Sequence, residues 1–238
     1  MSGYTLIIRA QPEADRDVEL LRRYRVPAIA SPIIKSHALV NDIPELKNFD
    51  SLIFTSGHAV FEFFKRINLK EAKTDFLFEK SVFAVGPRTA NAARKVGFLK
   101  IIEGNVGGQA LTSVIRNSIL GTRLGVKPLK PLLWPSAEHI GYDMVGALAP
   151  FHIPVIRVPV YRMAAEENFS PLARSALNTG SVRAIIAMSE GTATIFTHLI
   201  EKSSFHTKIG DISLIVSGQK IAKAAGNGWR EVFVAQRP

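Results

Sequence analysis

The chain has 238 residues, no cysteine, 47% hydrophobic residues and a formal net charge of +10 at pH 7. That length suits one large domain or two of ordinary size, and the apolar fraction argues against extended disorder. The lack of cysteine excludes disulfides, thiolate catalysis and cysteine-ligated metal, and no apolar run reaches membrane-spanning length.

The N-terminal stretch MSGYTLIIRAQPEADRD turns acidic directly after its apolar run. It reads as a first strand, Thr5–Ile8, and not as a signal peptide, so a cytoplasmic protein is expected. A helix over Ala14–Arg23 follows. The segment RVPAIASPII (25–34) alternates apolar residues with others and carries two prolines. Next come a strand at Ser51–Thr55 and a helix at Gly57–Arg66, then the pairs Ser81–Val85 with Arg88–Val96 and Lys100–Ile102 with Gln109–Asn117. Leu132–Trp134 reads as a strand and Ile140–Ala149 as a helix. The segment HIPVIRVPVY (152–161) repeats the proline spacing of 25–34. The chain closes with the pairs Ala184–Met188 and Gly191–Glu201, Ser213–Val216 and Gln219–Gly226, and a last strand at Glu231–Val234. Strands that alternate with helices predict an α/β fold with mainly parallel sheets flanked by helices.

The pattern occurs twice. Pro27 answers Pro154, SLIFTSGHAVFEFF answers AIIAMSEGTATIFT, and SVFAVGPRTANAARKVGF answers the segment from Ser213, at an offset of about 130 residues. Proline removes a ladder donor, so the two proline-spaced segments are expected as edge-type or isolated ribbons and as a hinge pair between two lobes. The repeat alone allows interleaved lobes or two sequential lobes split near Leu129.

No phosphate loop, nucleophile elbow or zinc-helix motif is present, and the six histidines lack metal-ligand spacing. His198 and His206 are expected on solvated or capping positions. The glycines of EGNVGGQAL (103–111) lack dinucleotide spacing, and Asp50 precedes its strand, which argues against a phospho-receiver. What recurs is small residues where a strand, or the loop after it, meets a helix. These are Ser56-Gly57, Gly86-Pro87-Arg88-Thr89, Gly107-Gly108, Ser189-Glu190-Gly191 and Ser217-Gly218. Free N–H groups and the helix dipole at such ends favour anions, and small residues allow close approach. Any single one is ordinary capping. Five of them, spread over two lobes, predict a cleft for several carboxylates, with the serines as donors and not nucleophiles. The Arg and Lys residues are scattered, apart from RRYR at 22–25, so a small polyanion suits the charge better than nucleic acid.

The order LIIRAQPEADRDVELLRRYRVPAIASPII, DSLIFTSGHAV, VFAVGPRTANAARKVGF, EGNVGGQAL, VYR and SGQKIAKAAGNGWREVFVA resembles the uroporphyrinogen-III synthase family across essentially the whole chain. The resemblance implies two flavodoxin-like lobes joined by a two-stranded β ladder. One lobe would comprise 1–33 with 162–238 and the other 38–152, with hinge ribbons at about 34–37 and 153–161. It implies closure of hydroxymethylbilane to uroporphyrinogen III with inversion of ring D, without metal or cofactor. A monomer with no nucleic-acid or membrane partner is the default expectation. The eight substrate carboxylates would account for the positive charge.

Tyr161 in VYR matches the family tyrosine proposed to assist hydroxyl departure; packing of its ring is the competing role. Ser56, Gly57, Gly86, Thr89, Gly108, Ser189, Gly191, Ser217 and Gly218 are the expected substrate contacts. Arg9 either meets a substrate carboxylate or pairs with the acidic start of the following helix. SGQKIA departs from the family pattern: Ile221 stands where a threonine is common, and the loop is one residue longer than in GPRTA. His58 is assigned a contact at most. The alternative function, from a different class, is a bilobed small-anion binding or sensor protein without catalysis.

Overall fold

A computed structural model describes residues 3–67, 75–105, 107–121, 130–205 and 207–235; Leu129 and His206 lie outside them. In chain order the strands are β1 (Tyr4–Ile7), β2 (Ala28–Ala30), β3 (Ile34–Ala38), β4 (Ser51–Phe54), β5 (Ser81–Val85), β6 (Lys100–Gly104), β7 (Leu132–Ala137), β8 (Val155–Ala165), β9 (Val182–Ala187), β10 (Ser213–Val216) and β11 (Glu231–Val234). The helices are α1 (Glu13–Arg23), α2 (Gly57–Arg66), α3 (Asp75–Phe78), α4 (Gly86–Lys95), α5 (Gly108–Gly121), α6 (Met144–Leu148), α7 (Pro171–Asn178), α8 (Glu190–Glu201) and α9 (Gln219–Ala224). The chain divides into two compact units, Met1–Lys35 with Ala164–Pro238, and Ser36–Met163.

The first unit holds a five-stranded parallel sheet in the order β11-β10-β9-β1-β2. Numbered by appearance within the unit this is 2-1-3-4-5, the flavodoxin winding. Leu6, Ile185 and Leu214 share a register row and are fully buried. Strands covered on both faces need apolar residues at consecutive positions, which is why these read as unbroken apolar runs. In α1, Glu13 and Asp15 sit in the first turn and Arg22 and Arg23 in the last, matching the helix dipole at each end.

The second unit holds a sheet in the order β3-β8-β7-β4-β5-β6. Apart from β3 at its edge, the winding is 3-2-1-4-5, the order seen in dinucleotide folds. Its two faces carry separate cores. Leu52, Phe54, Phe63, Leu133 and Val160 pack on one, Ile53, Phe83, Leu111 and Trp134 on the other. The split between Phe54 and Ile53 follows the two-residue period of a strand. Phe54 meets Phe63 of α2 edge-on at 5.7 Å, and burial of each ring contributes about 1.5–3 kcal/mol.

Two local expectations change. The proline segment 25–34 does not act as one ribbon. Ala28–Ala30 is the edge strand beside β1, and Ile34–Ala38 lies next to β8. In 153–161 the ladder to β7 covers one flank. β3 runs along the later part of β8, where the Leu39 N–H donates to the Val160 carbonyl and the Glu166 N–H to the Ile33 carbonyl, so the edge character expected for this segment is kept on one side. Pro159 turns its backbone to the flank away from β7, where its carbonyl accepts from the Asn41 side-chain amide at 2.8 Å, so its missing N–H costs no ladder bond. A register shift follows it: Pro159 pairs with Ser136, but Tyr161, not Val160, pairs with Ala137, which makes Val160 the extra residue of a β-bulge. The helix expected from Ile140 begins only at Met144, where the Asp143 carboxylate accepts from the Val145 N–H at 3.0 Å.

Candidate functional site

In the second unit the strand ends bring Ser56, Gly86 and Tyr161 into one neighbourhood. Phe54 pairs with Ala84, so Ser56 and Gly86 follow at adjacent strand ends. Ser56 is extended (φ −156°) and caps α2, its Oγ accepting from the Ala59 N–H at 3.1 Å. The same Oγ lies 2.8 Å from the Tyr161 hydroxyl. Tyr161 is only 5% exposed and its ring lies 5.8 Å from that of His58. Burial pushes the Tyr161 phenol above its ordinary value of 10.0, partly opposed by the Ser56 hydrogen bond. At neutral pH it is therefore a protonated donor.

The bulge is what places Tyr161 here. In a regular strand Tyr161 would face the side opposite Val158 and Val160, yet all three belong to the core that packs under α2. One extra residue reverses the side on which every later side chain falls. Arg157 lies against the bulge. Its Nε donates to Ser136 Oγ at 2.9 Å, and its Nη2 donates to the carbonyls of Ala137 at 2.8 Å and Glu138 at 2.6 Å. The Glu138 N–H in turn donates to the Tyr161 carbonyl at 2.8 Å.

Gly86 has φ +67°, a conformation that favours glycine, and opens α4 with Pro87 in its first turn. Thr89 is buried at 4% exposure on the next turn. Gly57 faces Ala92 of α4 at 3.5 Å for an added Cβ, so a methyl group would fit. Gly108 is different. A Cβ there would lie 2.3 Å from Tyr142 Cδ1, so its small size serves packing against the Tyr142 ring. Thr112 Oγ1 lies 3.2 Å from the Tyr142 hydroxyl on the same turn of α5.

The first unit presents its own row. Ala187 pairs with Val216, so Ser189 and Gly218 follow at adjacent strand ends, with Ser217 one residue before Gly218. Ser189 caps α8, its Oγ accepting from the Thr192 N–H at 3.3 Å and lying 2.9 Å from Thr192 Oγ1. Gly191 and Gly218 have open space where a Cβ would stand. Here β10 reaches α9 through Ser217 and Gly218, whereas β5 runs straight into α4. Ile221 packs on the core of this unit, which accounts for an apolar residue where GPRTA has Thr89. Arg9 forms an ion pair at 3.0 Å with Asp17, one turn beyond the acidic start of α1. His198 lies in the last turn of α8.

Sequence reading missed Arg157, Ser136 and Tyr142. A lone charge inside the apolar alternation HIPVIRVPVY was the available signal for Arg157. Among the described residues no group of His, Asp and Glu could hold a metal ion, and no helix is long and apolar enough to cross a membrane.

A family model described as uroporphyrinogen-III synthase HemD matches residues 15–238. No curated protein sequence matches the chain. Among solved structures, a uroporphyrinogen-III synthetase from Helicobacter pylori superposes with a TM-score of 0.60 at 17% identity, covering 100% of this chain and 94% of that one. A mutant uroporphyrinogen III synthase from Thermus thermophilus gives a TM-score of 0.49 at 14% identity, over 98% of this chain and 94% of the other.

Proposed function

The chain belongs to the uroporphyrinogen-III synthase family, and we propose that its Ser56–Tyr161 pair assists hydroxyl loss from a bilane held by the helix starts around it. The family consists of cyclising lyases of haem biosynthesis, which close hydroxymethylbilane to uroporphyrinogen III with inversion of ring D and release of water. The observation that carries the site reading is the 2.8 Å approach of Ser56 Oγ to a buried Tyr161 hydroxyl.

The Ala59 N–H already occupies one lone pair of Ser56 Oγ. In this reading Ser56 donates its proton to the phenol oxygen, and the phenol O–H donates to the departing hydroxyl. Pyrrole nitrogen electrons break the C–O bond and leave an azafulvene. The substituted α-carbon of ring D attacks to give a spiro intermediate, which fragments and recloses. Nitrogen supplies the driving force, so the protein contributes chiefly orientation.

Ser56 thus acts through Tyr161 and the α2 cap. Gly57, Gly86 and Thr89 in one unit, and Ser189, Gly191, Ser217 and Gly218 in the other, are the proposed carboxylate positions. Free N–H groups at α2, α4 and α8 support this, and the net charge of +10 supports a polyanion in general. Arg9 is the weaker candidate because Asp17 already uses its guanidinium. Gly108 is withdrawn, since Tyr142 accounts for it. The reading extends to a cytoplasmic monomer without membrane partners, and the scattered charges favour a small polyanion over nucleic acid.

Ser189→Asp tests the carboxylate positions. Asp caps a helix about as well as Ser, so stability should stay within about 0.5 kcal/mol. The added negative charge should raise KM for hydroxymethylbilane about fivefold, through about 1 kcal/mol of repulsion. An unchanged KM in a variant of unchanged melting temperature would remove Ser189 from the substrate site.

A further inference from the structure

We propose that Arg157 is the positioning residue for Tyr161, holding the β7–β8 bulge in the one register that turns the phenol toward Ser56. This rests on the reading that Tyr161 assists the reaction. Three observations converge on it.

The first is the register. Pairing is regular from Leu132 with Val155 to Ser136 with Pro159, and then skips Val160 to join Ala137 with Tyr161. Slipping back by one residue would put Val160 opposite Ala137 and send Tyr161 to the face that packs against α5 and α6. Register is a two-way choice here because a strand alternates its faces.

The second is where the donors go. The carbonyls of Ala137 and Glu138, next to the skipped residue, accept from Arg157 Nη2 at 2.8 and 2.6 Å. Its Nε fixes Ser136, which is fully buried, at 2.9 Å. One planar fork thus binds three successive residues, Ser136 and Ala137 at the end of β7 and Glu138 just beyond it, and the last of them bonds back to the Tyr161 carbonyl.

The third is how the guanidinium itself is held. Its Cζ lies 5.7 Å from the centre of the Trp134 ring, and Trp134 is 1% exposed. The indole N–H donates to Thr55 Oγ1 at 3.3 Å, the residue directly before Ser56. The clamp on the Tyr161 strand and the strand that delivers Ser56 are therefore linked through one indole. A lysine offers no fork and no stacking plane, so Arg157→Lys is not a conservative change.

The test uses the full chain with ring-labelled tyrosine, the Tyr161 signal being identified by its loss in Tyr161→Phe. In Arg157→Gln the Tyr161 ring signal and its titration should both be displaced from their wild-type positions, as the ring leaves its place beside Ser56 and His58. Turnover of hydroxymethylbilane should fall about tenfold with KM within about twofold, as for loss of an interaction made in the transition state. The double variant with Tyr161→Phe should be no slower than Tyr161→Phe alone, because the two residues act as a unit. An unmoved Tyr161 titration, or losses that multiply in the double variant, would overturn the proposal. If Arg157→Gln does not fold, Ser136→Ala decides: a smaller displacement of the Tyr161 signal in the same direction supports it, and no displacement refutes it. Should Tyr161→Phe leave turnover unchanged, the role of Tyr161 falls, while the titration in Arg157→Gln still decides the positioning.

Discussion

Tyr161→Phe should slow turnover about tenfold while the isomer formed stays type III. The expected loss corresponds to one hydrogen bond of about 1.4 kcal/mol given to the departing hydroxyl in the transition state. The fold should hold, because the ring remains packed in the core beneath α2 and only the hydroxyl is removed. The isomer should not change, because the choice of attacking carbon lies with the geometry of the bound bilane and not with the leaving group. Rapid-quench kinetics with chromatographic separation of the products measures both quantities. Complete loss of activity in a folded variant would instead make Tyr161 an obligatory proton source. A mixture rich in type I would give the phenol a part in orienting ring D.

Gly108→Ala should lower stability by about 1–3 kcal/mol, the usual cost of forcing an extra methyl group into packed surroundings. The methyl group would lie 2.3 Å from Tyr142 Cδ1 and 2.8 Å from Tyr142 Cβ, too near the backbone for the ring to swing clear. Combined with Tyr142→Ala the two losses should not add, since the second substitution removes the obstacle that gives the first its cost. Urea unfolding of the four proteins measures the coupling. Fully additive losses would mean that the glycine is needed for something other than Tyr142. A raised KM in folded Gly108→Ala would return Gly108 to the substrate site.

Much of the architecture was legible because the two units wind parallel sheets from short apolar runs, each ending in a small polar residue. SLIF before Ser56 and IIA before Met188 and Ser189 show this, and both serines are helix caps in the structure. What was hidden was the bulge. Pro159 reads as an edge signal, and its carbonyl does face the flank away from β7, but nothing in the prolines announces the register shift that follows. A bulge leaves no mark on an alternating pattern except that the pattern changes sides after it. Val160 and Tyr161, both buried and adjacent, were that mark. The packing role of Gly108 was hidden for a different reason. Its partner, Tyr142, lies in the loop after β7, and a contact over that separation has no signature in a single sequence. The helix expected from Ile140 failed because 138–143 form a connecting loop anchored by Arg157 and by the Asp143 cap.

The junctions read as five equivalent anion sites turn out to be unequal. Ser56 is committed to Ala59 and Tyr161, Ser189 shares its hydroxyl with Thr192, and Gly108 is filled by Tyr142. Side chains at helix starts are consumed by the fold before any ligand arrives. The backbone N–H groups of the first turns are what they leave available.

The most direct measurement is the isomer composition of the uroporphyrin obtained when the pure protein meets freshly generated hydroxymethylbilane and the product is oxidised and separated. The account predicts type III in large excess over a protein-free control, because orientation of ring D is the protein's contribution. Type I alone, formed at the spontaneous rate, would contradict it and leave two folded units with a basic surface and no catalysis.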